Sequence, residues 1–176
     1  DAENLKVTKY FDDREIPNVT DANAWAALST PGYCWYDNDS STYSETYGAL
    51  YNWYTVATDS LCPAGWHVST DDEWITLVDY LGGLTDAGGL LKETDTTHWA
   101  SPNTGATNET GFTALPSGNR SINGKYDNIN DYGYWWGFPE YSSSSAWYRR
   151  LNYDHSNIYR HYNHKNNGFS VRCLRD

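Results

Sequence analysis

The sequence predicts an α+β fold, and three observations carry that reading. A capped amphipathic helix is written into the first half of the chain, in "STDDEWITLVDYLGG". The second half, from Phe112 onward, is a series of short strand-like runs broken by turn residues. Helices come early and strands late, the order of segregated α and β layers rather than of repeating βαβ units. At 176 residues the chain suits one domain with a sizeable core, so residues 1–176 are read as a single unit.

From the N-terminus, "NLKVTKY" and "GYCWYDND" are strand candidates. "TYGALYNWYTVAT" predicts a first helix from Thr46 to Thr58, because Tyr47, Leu50, Tyr54 and Ala57 recur at helical spacing. "LCPAGWHV", Leu61 to Val68, has room for a turn and a brief extended piece. The second helix has the better start signal. Thr70 and Glu73 make a capping box, and Asp71 and Asp72 sit in the first turn, where the helix dipole favours anions. Trp74, Leu77, Val78 and Leu81 form its apolar stripe, and Gly82 and Gly83 end it. "GGLTDAGG" and "SPNTGATNETG" then read as loops, with Gly82, Gly83, Gly88 and Gly89 as turn residues that lack the Lys of a phosphate loop. "FTALPSG", "AWYRRLNY", "NIYRHYN" and "GFSVRCL" follow as strands, the last with Phe169, Val171 and Cys173 facing inward.

Net charge is −11 at pH 7, which argues against nucleic acid or an anionic membrane as the main partner. No apolar run reaches the roughly 18 residues of a membrane span, so no membrane insertion is expected. No secretory leader is visible, and the opening "DAENLKV" reads as a mature or trimmed form. Cys34, Cys62 and Cys173 are an odd set, so at most one internal bridge forms, and their spacing matches no zinc knuckle. Asp37, Asn38 and Asp39 offer oxygen ligands for a structural calcium ion, without EF-hand spacing; a turn is the preferred reading, and no cofactor is expected. Cys62 and His67 lack a third orienting group and read as packing. Glu109 and Glu140 are lone carboxylates, without a partner for acid–base work.

The closing stretch is the informative one. "YRRLNYDHSNIYRHYNHKNNGFSVRCLRD" holds three of the five histidines and is dense in Tyr and Asn. Metal binding through His155, His161 and His164 is disfavoured, because His161 and His164 point to opposite faces of a strand. A solvated strand region shares the composition. The preferred reading is a binding surface over residues 134–167: Tyr supplies rigid amphipathic contact area, and Ser, Asn and Gly supply adaptable hydrogen bonds.

"AENLKV", "YGALYNWYTV", "CPAGWHVSTDDEW", "TNETGFTALPSGNR", "YGYWW", "AWYRRL" and "GFSVRCLRD", in order over nearly the full chain, resemble the Fibrobacter succinogenes major paralogous domain. That family is similar to the C-type lectin fold, as are formylglycine-generating enzymes and the variable proteins of diversity-generating retroelements. The resemblance implies two helices around a small twisted antiparallel sheet, paired N- and C-terminal strands, and a ligand surface near the C-terminus. It also implies a bridge from the end of the first helix to the last strand. That pairs Cys62 with Cys173 in an oxidising environment and leaves Cys34 free; three buried thiols are the alternative.

The likeness to retroelement proteins adds a genetic-code argument. Such elements mutate adenines, often in Asn codons, and those codons cannot become Lys, Glu, Gln, Met or Trp. Tyr148, Arg150, Asn152, Asp154, His155, Asn157, Tyr159, His161, Tyr162, Asn163, His164, Asn166 and Asn167 all lie in the reachable set. Trp135, Trp136, Glu140, Trp147 and Lys165 do not. Gly137 and Phe138 stand where the family often has Ser, and join the expected ligand-binding set. The reachable residues other than Asn167, together with Gly137 and Phe138, are therefore the expected contacts. They should point outward on one contiguous face of a frame built by Trp135, Trp136, Trp147, Leu151, Ile158 and the last strand. The function implied is a non-enzymatic binding protein with a retroelement-diversified surface, outside the cell or on a virion, whose partner is a protein or glycan. A surface-lipoprotein module without a specific ligand is the alternative. An enzyme of the formylglycine-generating type would need a reactive cysteine pair late in the chain, where only Cys173 stands.

Overall fold

A computed structural model describes residues 3–176 of the chain. Five short helices and nine strands alternate along it. They are α1 (Ala22–Ala26), β1 (Tyr33–Cys34), α2 (Ser40–Tyr47), β2 (Leu50–Tyr51), α3 (Trp53–Val56), β3 (Trp66–Val68), α4 (Asp71–Tyr80) and α5 (Ala87–Leu91), then β4 (Ser117–Arg120), β5 (Tyr126–Ile129), β6 (Tyr132–Glu140), β7 (Ser145–Asn152), β8 (Ile158–His164) and β9 (Cys173–Arg175). All strand pairs are antiparallel: β1–β2, β3–β9, β4–β5 and the three-stranded β6–β7–β8. The mixed α+β class thus holds, with several small sheets in place of a single one. Among the described residues no helix is long and apolar enough to cross a membrane.

The capped helix forms as its sequence dictates. Thr70 accepts the Glu73 amide at 3.2 Å, and Glu73 reaches back to the Thr70 amide at 2.8 Å. Trp74 and Val78 are buried, Leu77 and Leu81 pack beside them, and Gly82 and Gly83 follow with positive φ. The helix expected over Thr46–Thr58 does not form as one piece. Asp39 caps α2 earlier, accepting from the Thr42 amide, and Gly48 ends it at φ 74°. A Cβ at Gly48 would lie 2.8 Å from the Leu5 carbonyl, so the chain passes too close for another residue. Leu50 and Tyr51 then pair with Cys34 and Tyr33, and Asn52 caps the separate turn α3. Tertiary pairing has overridden a local helical period.

Other expectations are corrected in the same way. Residues 5–10, within "NLKVTKY", form no strand; the Leu5 amide bonds to Val171. The last strand takes β3, not an N-terminal strand, as partner. In "FTALPSG" the ladder begins only at Ser117. Gly88 and Gly89 are helical, in α5. The preferred turn does form at Tyr36–Asn38; Asn38 donates across to the Thr20 carbonyl at 3.1 Å, and Asp39 caps α2.

Residues 168–171 join the small sheets. Tyr51 bridges Phe169, Arg120 bridges Gly168, and Trp135 bridges Ser170. This explains a further departure from the pattern: Phe169, Val171 and Cys173 are buried, but so are Ser170 and Arg172 between them. Arg172 is satisfied by Asn4 Oδ1 at 2.8 Å and the carbonyls of Phe112 and Thr113, and burial pushes its pKa down to about 9. Cys62 and Cys173 are joined, with Cα atoms 5.9 Å apart, and Cys34 is a buried free thiol that burial pushes up to about 11.

Candidate functional site

The β7–β8 hairpin carries most of the expected contact residues, and its register sorts them. Tyr148 lies opposite His161, Arg150 opposite Tyr159 and Ala146 opposite Asn163. Facing residues share a side of the sheet and alternate residues swap sides, so Tyr148, Arg150, Asn152, Tyr159, His161 and Asn163 belong to one face. Tyr162 and His164 fall on the other, with Trp147, Arg149 and Arg160.

Residues outside the hairpin hold it in three places. At the turn, Lys92 donates to the carbonyls of Thr104 (2.9 Å), Asn152 (2.9 Å) and His155 (3.0 Å), and burial lowers its pKa to about 8. The Gly89 amide bonds to Ser156, and a Cβ at Gly88 would collide with the Asn157 carbonyl, so α5 needs glycine to approach this closely. In the middle, Asp71 receives Arg149 Nη1 and Arg160 Nη2, each at 2.7 Å. Burial alone would raise the Asp71 pKa; the two arginines outweigh it and hold the carboxyl below its ordinary value. At the far end, Trp25 Nε1 donates to the Asn166 carbonyl at 2.7 Å, and Lys165 binds Glu140 and the Ser143 carbonyl.

Several expected contact residues prove to be part of this frame. Tyr148 is 7% exposed and packs on Tyr134 and Phe169. Asn152 is buried, and Asn166 is buried while donating to the carbonyls of Ala26 and Leu28. Gly137 is buried beside Trp147, and its carbonyl faces Trp53 Nε1. The single contiguous face is corrected accordingly, because the central strand has neighbours on both sides and its Tyr and Asn are needed for packing.

What remains accessible forms three zones. The first is the edge of the β7–β8 face, where Tyr159, His161, Asn163 and the half-buried Arg150 stand beside Tyr132. His161 and Asn163 hydrogen-bond to backbone of their own strand, not to another element. The second is the turn, with Asp154 and His155 paired at 2.7 Å and Asn157 half-buried. The third lies on the opposite face: Tyr162 stacks on Tyr141 at 3.9 Å, Trp147 stands edge-on to both, and Arg160 lies 3.9 Å over Trp147; the exposed Phe138 stacks on Trp53, and His164 is half-buried. Tyr132, Tyr141, Trp147 and Arg160 were not among the expected contacts. The alternation Tyr132, Tyr134, Trp136 was a signal for the first; Tyr141 in "EYSSSS" had none.

A cleft of about 140 Å³ is lined by Arg149 and Arg160. One of about 260 Å³ opens between Trp74, Leu77, Phe112 and Arg172, and another of about 250 Å³ sits beside Cys62, His67 and Phe138. Neither is lined by Arg150, Tyr159, His161 or Asn163. Among the described residues no three His, Cys, Asp or Glu side chains are grouped to hold a metal ion.

These features define a disulfide-linked α+β domain that carries a tyrosine-rich hairpin pinned from below. The chain belongs to the Fibrobacter succinogenes major domain family, whose model matches residues 2–175. Neither a curated protein nor a solved structure matches it.

Proposed function

We propose that this chain is a non-enzymatic binding protein, displayed outside the cell or on a virion, that recognises a protein or glycan. Its contact surface is the edge strand β8, the β7–β8 turn and the Tyr141–Tyr162 cluster. The scaffold is C-type lectin-like, and a retroelement diversifies the exposed side chains. One observation carries the reading: the hairpin is held by Lys92, Asp71, Gly88 and Trp25, all outside it, while the side-chain hydrogen bonds of the edge-strand His161 and Asn163 stay within their own strand. A surface whose side chains change must have such a frame. Three of the residues that adenine mutation cannot reach support the same division: Trp135, Trp136 and Lys165 are buried, whereas Trp147 and Glu140 border the surface. The disulfide and the buried Cys34 suit an oxidising location.

Changing Tyr159, His161, Tyr162 and Asn163 together to Ala tests this. We expect an unchanged fold by circular dichroism and loss of binding in a panel of displayed proteins and arrayed glycans. A chain that binds nothing in the panel before mutation would favour a structural module without a ligand. Near the gene, a second copy of the tail's coding sequence differing at adenines is expected; its absence would remove the retroelement from the proposal.

A further inference from the structure

We infer that Arg150, held between Tyr132 and Tyr159, receives a single carboxylate from a protein partner; this rests on the binding reading above. The other arginines of the hairpin are committed. Arg149 and Arg160 both bind Asp71. Buried Arg120 and Arg172 are satisfied largely by backbone carbonyls. Arg150 makes no ion pair among the described residues, and its Nε is buried without a hydrogen-bond partner. The guanidinium carbon lies 4.5 Å from the ring centre of Tyr159 and 5.3 Å from that of Tyr132. Arg150 also hydrogen-bonds to the Tyr134 hydroxyl, whose pKa burial raises, so that contact supplies no counter-charge. Aromatic rings hold a guanidinium by its faces and restrict its motion without neutralising it. What they leave is the outer Nη end of the guanidinium, whose paired N–H groups match a carboxylate.

Charge narrows the ligand. At a net −11 the chain repels polyanions, so the fit is one carboxylate within an otherwise neutral contact. An Asp or Glu side chain on a folded partner meets that description; a polyuronate does not. Tyr and Arg are also the residue types that dominate the energetic centres of protein–protein contacts.

The test is a titration of the intact ¹⁵N-labelled chain, read at the arginine Nε–Hε correlations. The probes are acetyl-Gly-Glu-Gly-amide, its Gln counterpart and digalacturonate. We expect the Glu peptide to move the Arg150 signal saturably and with salt dependence, and to bind about tenfold tighter than the Gln peptide. Arg150→Lys keeps the charge but loses the fork, and should weaken the Glu peptide by a similar factor at unchanged thermal midpoint. No saturable shift, an equal response to Gln, or undiminished binding by Arg150→Lys would overturn the inference. Tighter binding of digalacturonate would hand the slot to an acidic glycan and overturn it too. The binding reading itself fails separately. If Tyr159→Ala and His161→Ala abolish partner binding while Arg150→Lys does not, the surface stands and only the carboxylate anchor falls.

Discussion

β7 and β8 lie side by side and are written in the same residue types, yet they carry different loads. Five of the eight β7 residues are buried, against Ile158 alone of the seven in β8. Position in the sheet explains this. β7 is flanked by β6 and β8, whereas β8 is an edge. Tyr148 on β7 is locked against Phe169; Tyr159, one strand over, covers Arg150 and meets solvent. Arg149 is buried with Asp71, while Arg160 opposite it reaches the same carboxylate from the exposed side. Composition alone therefore cannot say which Tyr, Arg or Asn is free to change. The neighbour on the far side decides.

The largest expected effect breaks the pinned strand. Asp71→Ala strands Arg149, whose side chain is 1% exposed, and should cost about 3–5 kcal/mol in denaturant unfolding. A loss no larger than that of an exposed surface pair would mean that Asp71 does not hold β7. Next comes a matched pair across the two strands. Tyr148→Ala removes a buried ring and should cost about 3 kcal/mol. Tyr159→Ala removes a half-exposed ring and should stay within about 1 kcal/mol. Equal costs would erase the distinction between frame and surface.

How much of this was legible follows from the range of the forces involved. Helix α4 is specified by neighbours in sequence: Thr70 and Glu73 for its start, Trp74 and Val78 for its face, Gly82 for its end. It was read correctly. The alternation in β7 and β8 was equally local. The break at Gly48 depends on Leu5 and Asn4, far away in sequence, and the strand at Leu50 depends on Cys34. Neither leaves a local mark. The same holds for the tail. Its composition marked a surface, but Asn166 is structural because of Ala26 and Leu28, and Asn152 because it lies beneath the turn that Lys92 clamps. Asp71 read in sequence as a dipole partner of its own helix, and Lys92 carried no signal. Their burial under the hairpin is a property of the fold.

The smallest expected effect sharpens the comparison through pH. His67 lies on β3, its Nδ1 2.6 Å from Asp176 and its Nε2 2.8 Å from Glu73, the residue that closes the cap of α4. Asp176 first, then Glu73, raises the His67 pKa above its ordinary 6.5. A raised base binds its proton more tightly when folded. Its contribution is therefore complete below 6.5 and is lost as pH rises through the folded value. His67→Gln should lower the thermal midpoint at about pH 5.5 and make little difference by about pH 9. Both carboxylates are partly exposed, so the shift should be small and fade with salt. Tyr159→Ala should leave this profile unchanged. A profile that moved with Tyr159 would show the edge strand and the α4 frame to be coupled, and the surface could not then vary independently of what holds it.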